Sequence, residues 1–207
     1  MPKFPLLLIL FALSCKQNTA EHSTDCDKTF KSASSQLNEY YLQNDREKLL
    51  MALSEIQLTI DSCREYKDRL GNLKLTVLAL LKEYEWASAF VDSVDESKFD
   101  VPYKKDMYVN TYKALSFEQS GDTIERNKYL QKVVDEIEAY SLNKTFSRDV
   151  IYDLYFTKAM FEPKDSLLLE IDQLKSEYPD ELEFLEALKE TVASFQSNET
   201  RKSVETP

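Results

Sequence analysis

Paired carboxylates, clustered oxygens and a few cysteines are the residues of this chain whose type and spacing bear on chemistry. Glu136 with Glu138, Glu181 with Glu183, and Glu186 with Glu190 are spaced so that one acid could give a proton while its partner takes one. A solvated, acid-rich helix face has the same pattern, and no pair stands out from it. Asp92-Ser-Val-Asp95-Glu96-Ser-Lys-Phe-Asp100 gathers oxygens of the kind calcium takes. It lacks the turn glycine and alternating acids of a calcium loop, so it reads as a solvated connection. Serines have no His or Lys base at a recognisable spacing, and the single histidine, His22, excludes His-based zinc clusters and most Ser-His or Cys-His catalysis. The two glycines, Gly71 and Gly121, stand fifty residues apart, which excludes a phosphate-cradling loop and a dinucleotide fingerprint. The expectation is a chain that is not an enzyme, with no cofactor and no metal.

The elements that must position any site follow from composition and periodicity. The chain has 207 residues, 43% of them hydrophobic and 12% aromatic, a globular balance large enough for one core. With 37 acidic against 26 basic side chains the net charge is -11, which repels phosphate backbones and anionic lipid faces, so nucleic acid is excluded as a partner. From Thr29 to about Gln196 the apolar spacing is helical: Leu49, Leu53, Ile56 and Ile60 form one stripe, and Leu130, Val133, Val134, Ile137 and Tyr140 another. Alternating strand patterns are absent, so the class is all-α. Four short turns begin near Asn44, Lys82, Gly121 and Glu162, at spacings of 38, 39 and 41 residues, and each joins two apolar helices into a hairpin. In the turn at Gly121, glycine suits the left-handed conformation that ends the first helix, and Asp122 or Thr123 can cap the second.

The start of the chain gives an address. Met1-Pro-Lys3 precedes the apolar run from Phe4 to Leu13, too short to span a bilayer, and reads as a signal peptide over residues 1–14. Ala12-Leu13-Ser14-Cys15 resembles a bacterial lipoprotein processing site, although Ala12 and Leu13 stand in the opposite order to the usual one. The resemblance implies a triacylated, palmitate-bearing Cys15 as the first mature residue and anchoring in the bacterial envelope, at the outer membrane, through this lipid alone. Ordinary cleavage and a buried apolar strand are the competing readings. Residues 16–27 are polar and aperiodic and read as a tether. In an exported chain Cys26 and Cys63 remain as an even pair, with their midpoint between Asn44 and Asp45, at the turn of the first hairpin. Antiparallel helices around that turn would bring both to its open end, so a disulfide is expected; two unpaired thiols are the alternative.

The hairpins resemble degenerate tetratricopeptide repeats. The third carries Ala114, Phe117, Gly121, Asp122, Leu130 and Val133 at the family's offsets and departs at Arg126, where a small residue is expected. The first offers Tyr40, Asn44, Asp45, Leu53 and Ile56, the second Leu78, Ala87, Val91 and Val94, and the fourth Leu167, Ile171, Leu174 and Pro179. The resemblance covers about residues 28–196 and implies a right-handed solenoid of about four helical hairpins. A C-terminal capping helix from Pro179 to about Phe195 would place Leu182, Leu185, Leu188 and Val192 on one face. Residues 197–207 are expected to be a disordered tail. In that family the first helices line a concave groove, which here would present Asn38, Tyr41, Arg69, Asn72, Thr76, Tyr108, Thr111, Asp149 and Tyr152. Tyrosine offers large contact area at low entropic cost, and Asn and Arg can hold a peptide backbone. The expected function is therefore a membrane-anchored binding protein for a peptide or partner protein. The alternative is a structural or assembly accessory of an envelope complex, working through its convex face or cap.

Overall fold

The computed structural model describes residues 17–142 and 145–195. The signal segment 1–14, Cys15 and the tail 197–207 lie outside the described residues. Among those described, every regular element is helical: α1 (Gln17–Gln43), α2 (Arg46–Thr59), α3 (Lys67–Leu81), α4 (Tyr84–Asp92), α5 (Lys104–Ser120), α6 (Thr123–Ser141), α7 (Arg148–Lys158), α8 (Lys164–Glu177) and α9 (Leu182–Ser194). Short 3-10 turns at Arg64–Tyr66, Glu96–Lys98 and Pro179–Glu181 complete the set. No described helix is long and apolar enough to cross a membrane.

Helices end where the turns were expected. Asn44, Lys82 and Gly121 have positive φ, at 54°, 62° and 81°. At Gly121 the left-handed residue lets its own N–H and that of Asp122 donate to the carbonyls of Glu118 and Phe117, satisfying the end of α5. The Asp122 carboxylate then accepts from the Glu125 N–H and starts α6, as Asp45 accepts from the Glu47 N–H to start α2. At the fourth turn Pro163 precedes α8, its fixed φ suiting the entry to a helix.

The stretch expected to be an irregular tether differs: residues 17–27 are the opening turns of α1. Periodicity was weak there because charge pairing replaces an apolar stripe, with Lys31 reaching Asp27 at 2.7 Å and Lys28 reaching Asp25 at 3.6 Å one turn away.

The chain divides into two compact units between Glu83 and Tyr84, inside the second expected turn. In the first unit α1 packs along α2, and both touch α3. Leu49, Leu53, Ile56 and Ile60 are all buried, with Ala33 opposite and Leu70, Val77 and Leu78 from α3. In the second unit α5 packs on both α4 and α6, α6 on α7, and α9 on α7 and α8. Its core joins Val133, Val134 and Ile137 of α6 to Leu154, Leu167, Ile171, Leu185, Leu188 and Val192. Burying each such side chain contributes about 1.5 to 3 kcal/mol before the entropy of ordering it is counted. Two expected core positions depart. Leu182 is half exposed, because the 3-10 turn at Pro179 delays α9 and leaves its first residue outside the packed face. Val94 lies beyond the end of α4.

Arg126 stands where the repeat family has a small residue, and it is buried. Its guanidinium reaches Glu118 at 3.6 Å across the α5–α6 turn and donates to the Asn127 side chain at 2.9 Å. A charge pair thus occupies space that a small side chain would leave for close helix contact.

Candidate functional site

Cys26 on α1 and Cys63 just after α2 form a disulfide, with Cα atoms 5.6 Å apart. Both are buried at the open end of the α1–α2 hairpin. Around it Tyr66 donates to Asp27 at 3.0 Å, and the Arg69 guanidinium lies 4.0 Å from the centre of the Phe30 ring and 5.3 Å from that of Tyr66. Hydrogen bonds from Lys31 and Tyr66 hold the Asp27 carboxyl below its ordinary value, and the same contact raises the Tyr66 phenol. Arg69 is therefore already engaged with aromatic rings of its own unit.

The other residues of this unit expected to line a groove, Asn38 and Tyr41 on α1 and Asn72 and Thr76 on α3, are exposed. Tyr41 packs on its neighbour Tyr40, with ring centres 5.7 Å apart, and the Thr76 hydroxyl donates to the Asn72 carbonyl one turn back.

In the second unit Tyr108 and Thr111 lie on α5 and Asp149 and Tyr152 on α7. Tyr108 and Tyr152 are 40% and 43% exposed, Asp149 is exposed and Thr111 half-buried. A polar node ties the two helices. Lys104 meets Asp153 at 2.6 Å, both largely buried, and Tyr103 donates to the other end of that contact at 2.8 Å. The Lys104 amine also lies 5.9 Å from the Tyr108 ring centre, and Tyr152 stacks on Phe156 at 5.9 Å. Burial works against the Lys104 charge, but its hydrogen bond to Asp153 and the surrounding negative charge outweigh that and raise its pKa. Burial, then the hydrogen bond to Asp153, pushes the Tyr103 phenol far above its ordinary value. Both groups thus keep their protons at neutral pH, and the node orients α5 against α7 rather than moving a proton.

Beside this node a cavity of about 310 Å³ opens between the start of α5, the end of α6, the start of α7 and the end of α8. Its wall includes Tyr103, Tyr140, Phe146 and Tyr178, with the carboxylates of Asp100 and Asp149. Sequence reasoning missed Phe146 and Tyr178, because they fall at helix ends outside any periodic stripe. Tyr103 and Asp153 are fifty positions apart, a separation for which local spacing has no signal.

The acids singled out from the sequence do not converge. Glu138 pairs with Lys158, Glu181 with Arg148 and Glu186 with Lys175. Asp95 accepts from the Ser97 N–H and caps the 3-10 turn of the oxygen-rich connection, and hydrogen bonding from the Ser97 side chain, then from its N–H, lowers the Asp95 pKa. Among the described residues no group of three or more His, Cys, Asp or Glu side chains is placed to hold a metal ion. A second, partly buried node gathers Lys158, Tyr155, Glu138, Glu162 and Glu170. Lys158 bridges Glu138 and Glu170 at 3.3 Å each, and Tyr155 donates to Glu170 at 3.3 Å. Burial, then the neighbouring carboxylates, raises Glu162, with Lys158 pulling the other way. Comparison of the chain with family models, with curated proteins and with solved structures gives no match.

Proposed function

We propose that this chain is a non-enzymatic binding protein, lipid-anchored at Cys15 in the outer membrane of a bacterial envelope. It presents the first helices of tetratricopeptide-like hairpins to a peptide or partner protein. The observation that carries the reading is the α5–α7 face of the second unit. Tyr108 and Tyr152 leave large parts of their rings in solvent on two helices braced against each other by Lys104 and Asp153. Rigid, half-exposed tyrosines offer contact area with little left to order on binding. The buried disulfide supports an oxidising compartment, as expected for an exported chain. Helix ends near four positions spaced 38 to 41 residues apart support the repeat organisation.

The alternative, a structural or assembly accessory, draws on a different surface. Met51 and Leu58 on α2, a second helix, are 51% and 82% exposed on one side of it. Paired variants separate the two. Tyr108→Ala with Tyr152→Ala abolishes partner recovery after crosslinking in the native envelope if α5 and α7 bind, while Met51→Ser with Leu58→Ser leaves it unchanged. The reverse pattern supports the accessory role, and unlipidated, soluble protein without a crosslinked partner defeats both.

A further inference from the structure

We propose that the cavity at the ends of α5, α6, α7 and α8 binds an organic cation, an amine or guanidinium group. At about 310 Å³ it has room for one long side chain or a small amine, at the low end of ligand pockets. Charge decides what enters. Among the described residues, Lys104 lines the cavity but is held by Asp153 at 2.6 Å, and Arg148, next to Asp149 in the chain, is held by Glu181 at 2.6 Å. Asp100 and Asp149 line the same space and make no hydrogen bond or ion pair with the described residues. Asp149 has a structural task in the first turn of α7, where its charge complements the helix end. Asp100 lies outside any helix, and its charge acts on Lys104 and Tyr103 of the same wall. Both carboxylates are exposed and neither is closed off by an ion pair with the described residues, so a cation that fills the cavity can reach them.

The walls favour the same ligand. Phe146 packs on Tyr178 with ring centres 4.6 Å apart and meets Phe184 edge to face at 84°. Aromatic faces attract a cation through their quadrupole, most strongly where water is excluded. The Arg148 guanidinium, 5.8 Å from the centre of the Phe184 ring, makes such a contact next door. An anion would meet two like charges, and an apolar ligand would strip water from both carboxylates without replacing it. A cation satisfies both and lays its stem along the rings. The inference does not rest on Tyr108 and Tyr152, which do not line the cavity; Asp149 alone is common to both readings, and Asp100 and Tyr178 belong to the cavity only.

Calorimetric titration with butylammonium, a blocked Ala-Lys-Ala peptide and the same peptide with norleucine for lysine tests it. The two cations bind and the norleucine peptide does not. Asp100→Asn and Asp149→Asn each weaken binding about five-fold, Tyr178→Leu about three-fold, and added salt weakens it further. A lysine peptide tighter than butylammonium identifies a polypeptide as the source of the cation, and equal affinities identify a free amine. Norleucine binding as tightly as lysine, no cation binding at about 10 mM, or unchanged affinity in a folded D100N/D149N variant overturns the proposal. Should D149N lose its helical circular dichroism, D100N and Y178L carry the test alone.

Discussion

Breaking the Cys26–Cys63 bond tests how the first unit is held. The bond closes a span of 37 residues containing most of α1, the turn at Asn44 and all of α2. For a loop of that length the chain-entropy relation gives about 13 cal/mol/K, or about 4 kcal/mol at 25 °C. That is a large share of the 5 to 15 kcal/mol by which a typical domain is stable. What remains to hold the hairpin is the buried stripe of Leu49, Leu53 and Ile56 against Ala33, the α3 side chains Leu70, Val77 and Leu78, the Gln36–Glu55 hydrogen bond at 2.9 Å and the Lys48–Glu39 contact at 2.6 Å. None of these constrains the unfolded chain as the bond does, and a partly exposed ion pair contributes at most about 1 kcal/mol. Urea unfolding followed by far-ultraviolet circular dichroism, with and without reductant, reads the effect. With a slope of about 2 kcal/mol/M the midpoint of the first unit falls by about 2 M on reduction. Cys26→Ser with Cys63→Ser behaves like the reduced protein. A shift under about 0.5 M would show that packing alone fixes the hairpin and would refute the entropic reasoning.

Three further outcomes follow from other parts of the molecule. Arg126→Ala, which moves this position towards the repeat family, costs about 3 kcal/mol in thermal unfolding, because it leaves Glu118 beside a buried void; a stabilised variant contradicts the pairing described. Gly121→Ala costs about 1 kcal/mol from backbone strain alone, since φ is 81° and a new Cβ meets nothing within 4 Å, and Gly121→Asn costs less. Asp172 is held below the usual carboxylate range by hydrogen bonds from Lys189 on α9 and Lys175 on α8. A depressed folded pKa stabilises above the unfolded value of 3.8 and stops doing so as pH falls through the lower folded value. Asp172→Asn is therefore less stable than the parent at neutral pH, and melting curves of the two converge as pH falls below the lowered folded value; a constant gap assigns the effect to packing.

Much of the fold was legible because helices announce themselves locally. The apolar stripes of α2 and α6 and the turn residues at Asn44 and Gly121 are short-range patterns, and the structure places all of them as read. Lys82 also adopts positive φ, which its type does not advertise; only its place between two apolar runs marked it. The opening of α1 was hidden because its support is ion pairing and a buried cysteine rather than periodicity. Most positions assigned to a groove are exposed, Thr111 being half-buried, and the engagement of Arg69 with Phe30 depends on how α1 meets α3. The cavity was not readable at all, since its rings and carboxylates come from four helix ends.

Site-specific photocrosslinking in the intact envelope tests the binding reading most directly. A photoreactive phenylalanine replaces Tyr152 on α7 in one variant, and in another replaces Ile124, 79% exposed on α6. The reading predicts one defined crosslinked product from position 152 and none from position 124. Equal products at both positions, or none at 152 in folded, membrane-associated protein, would contradict it.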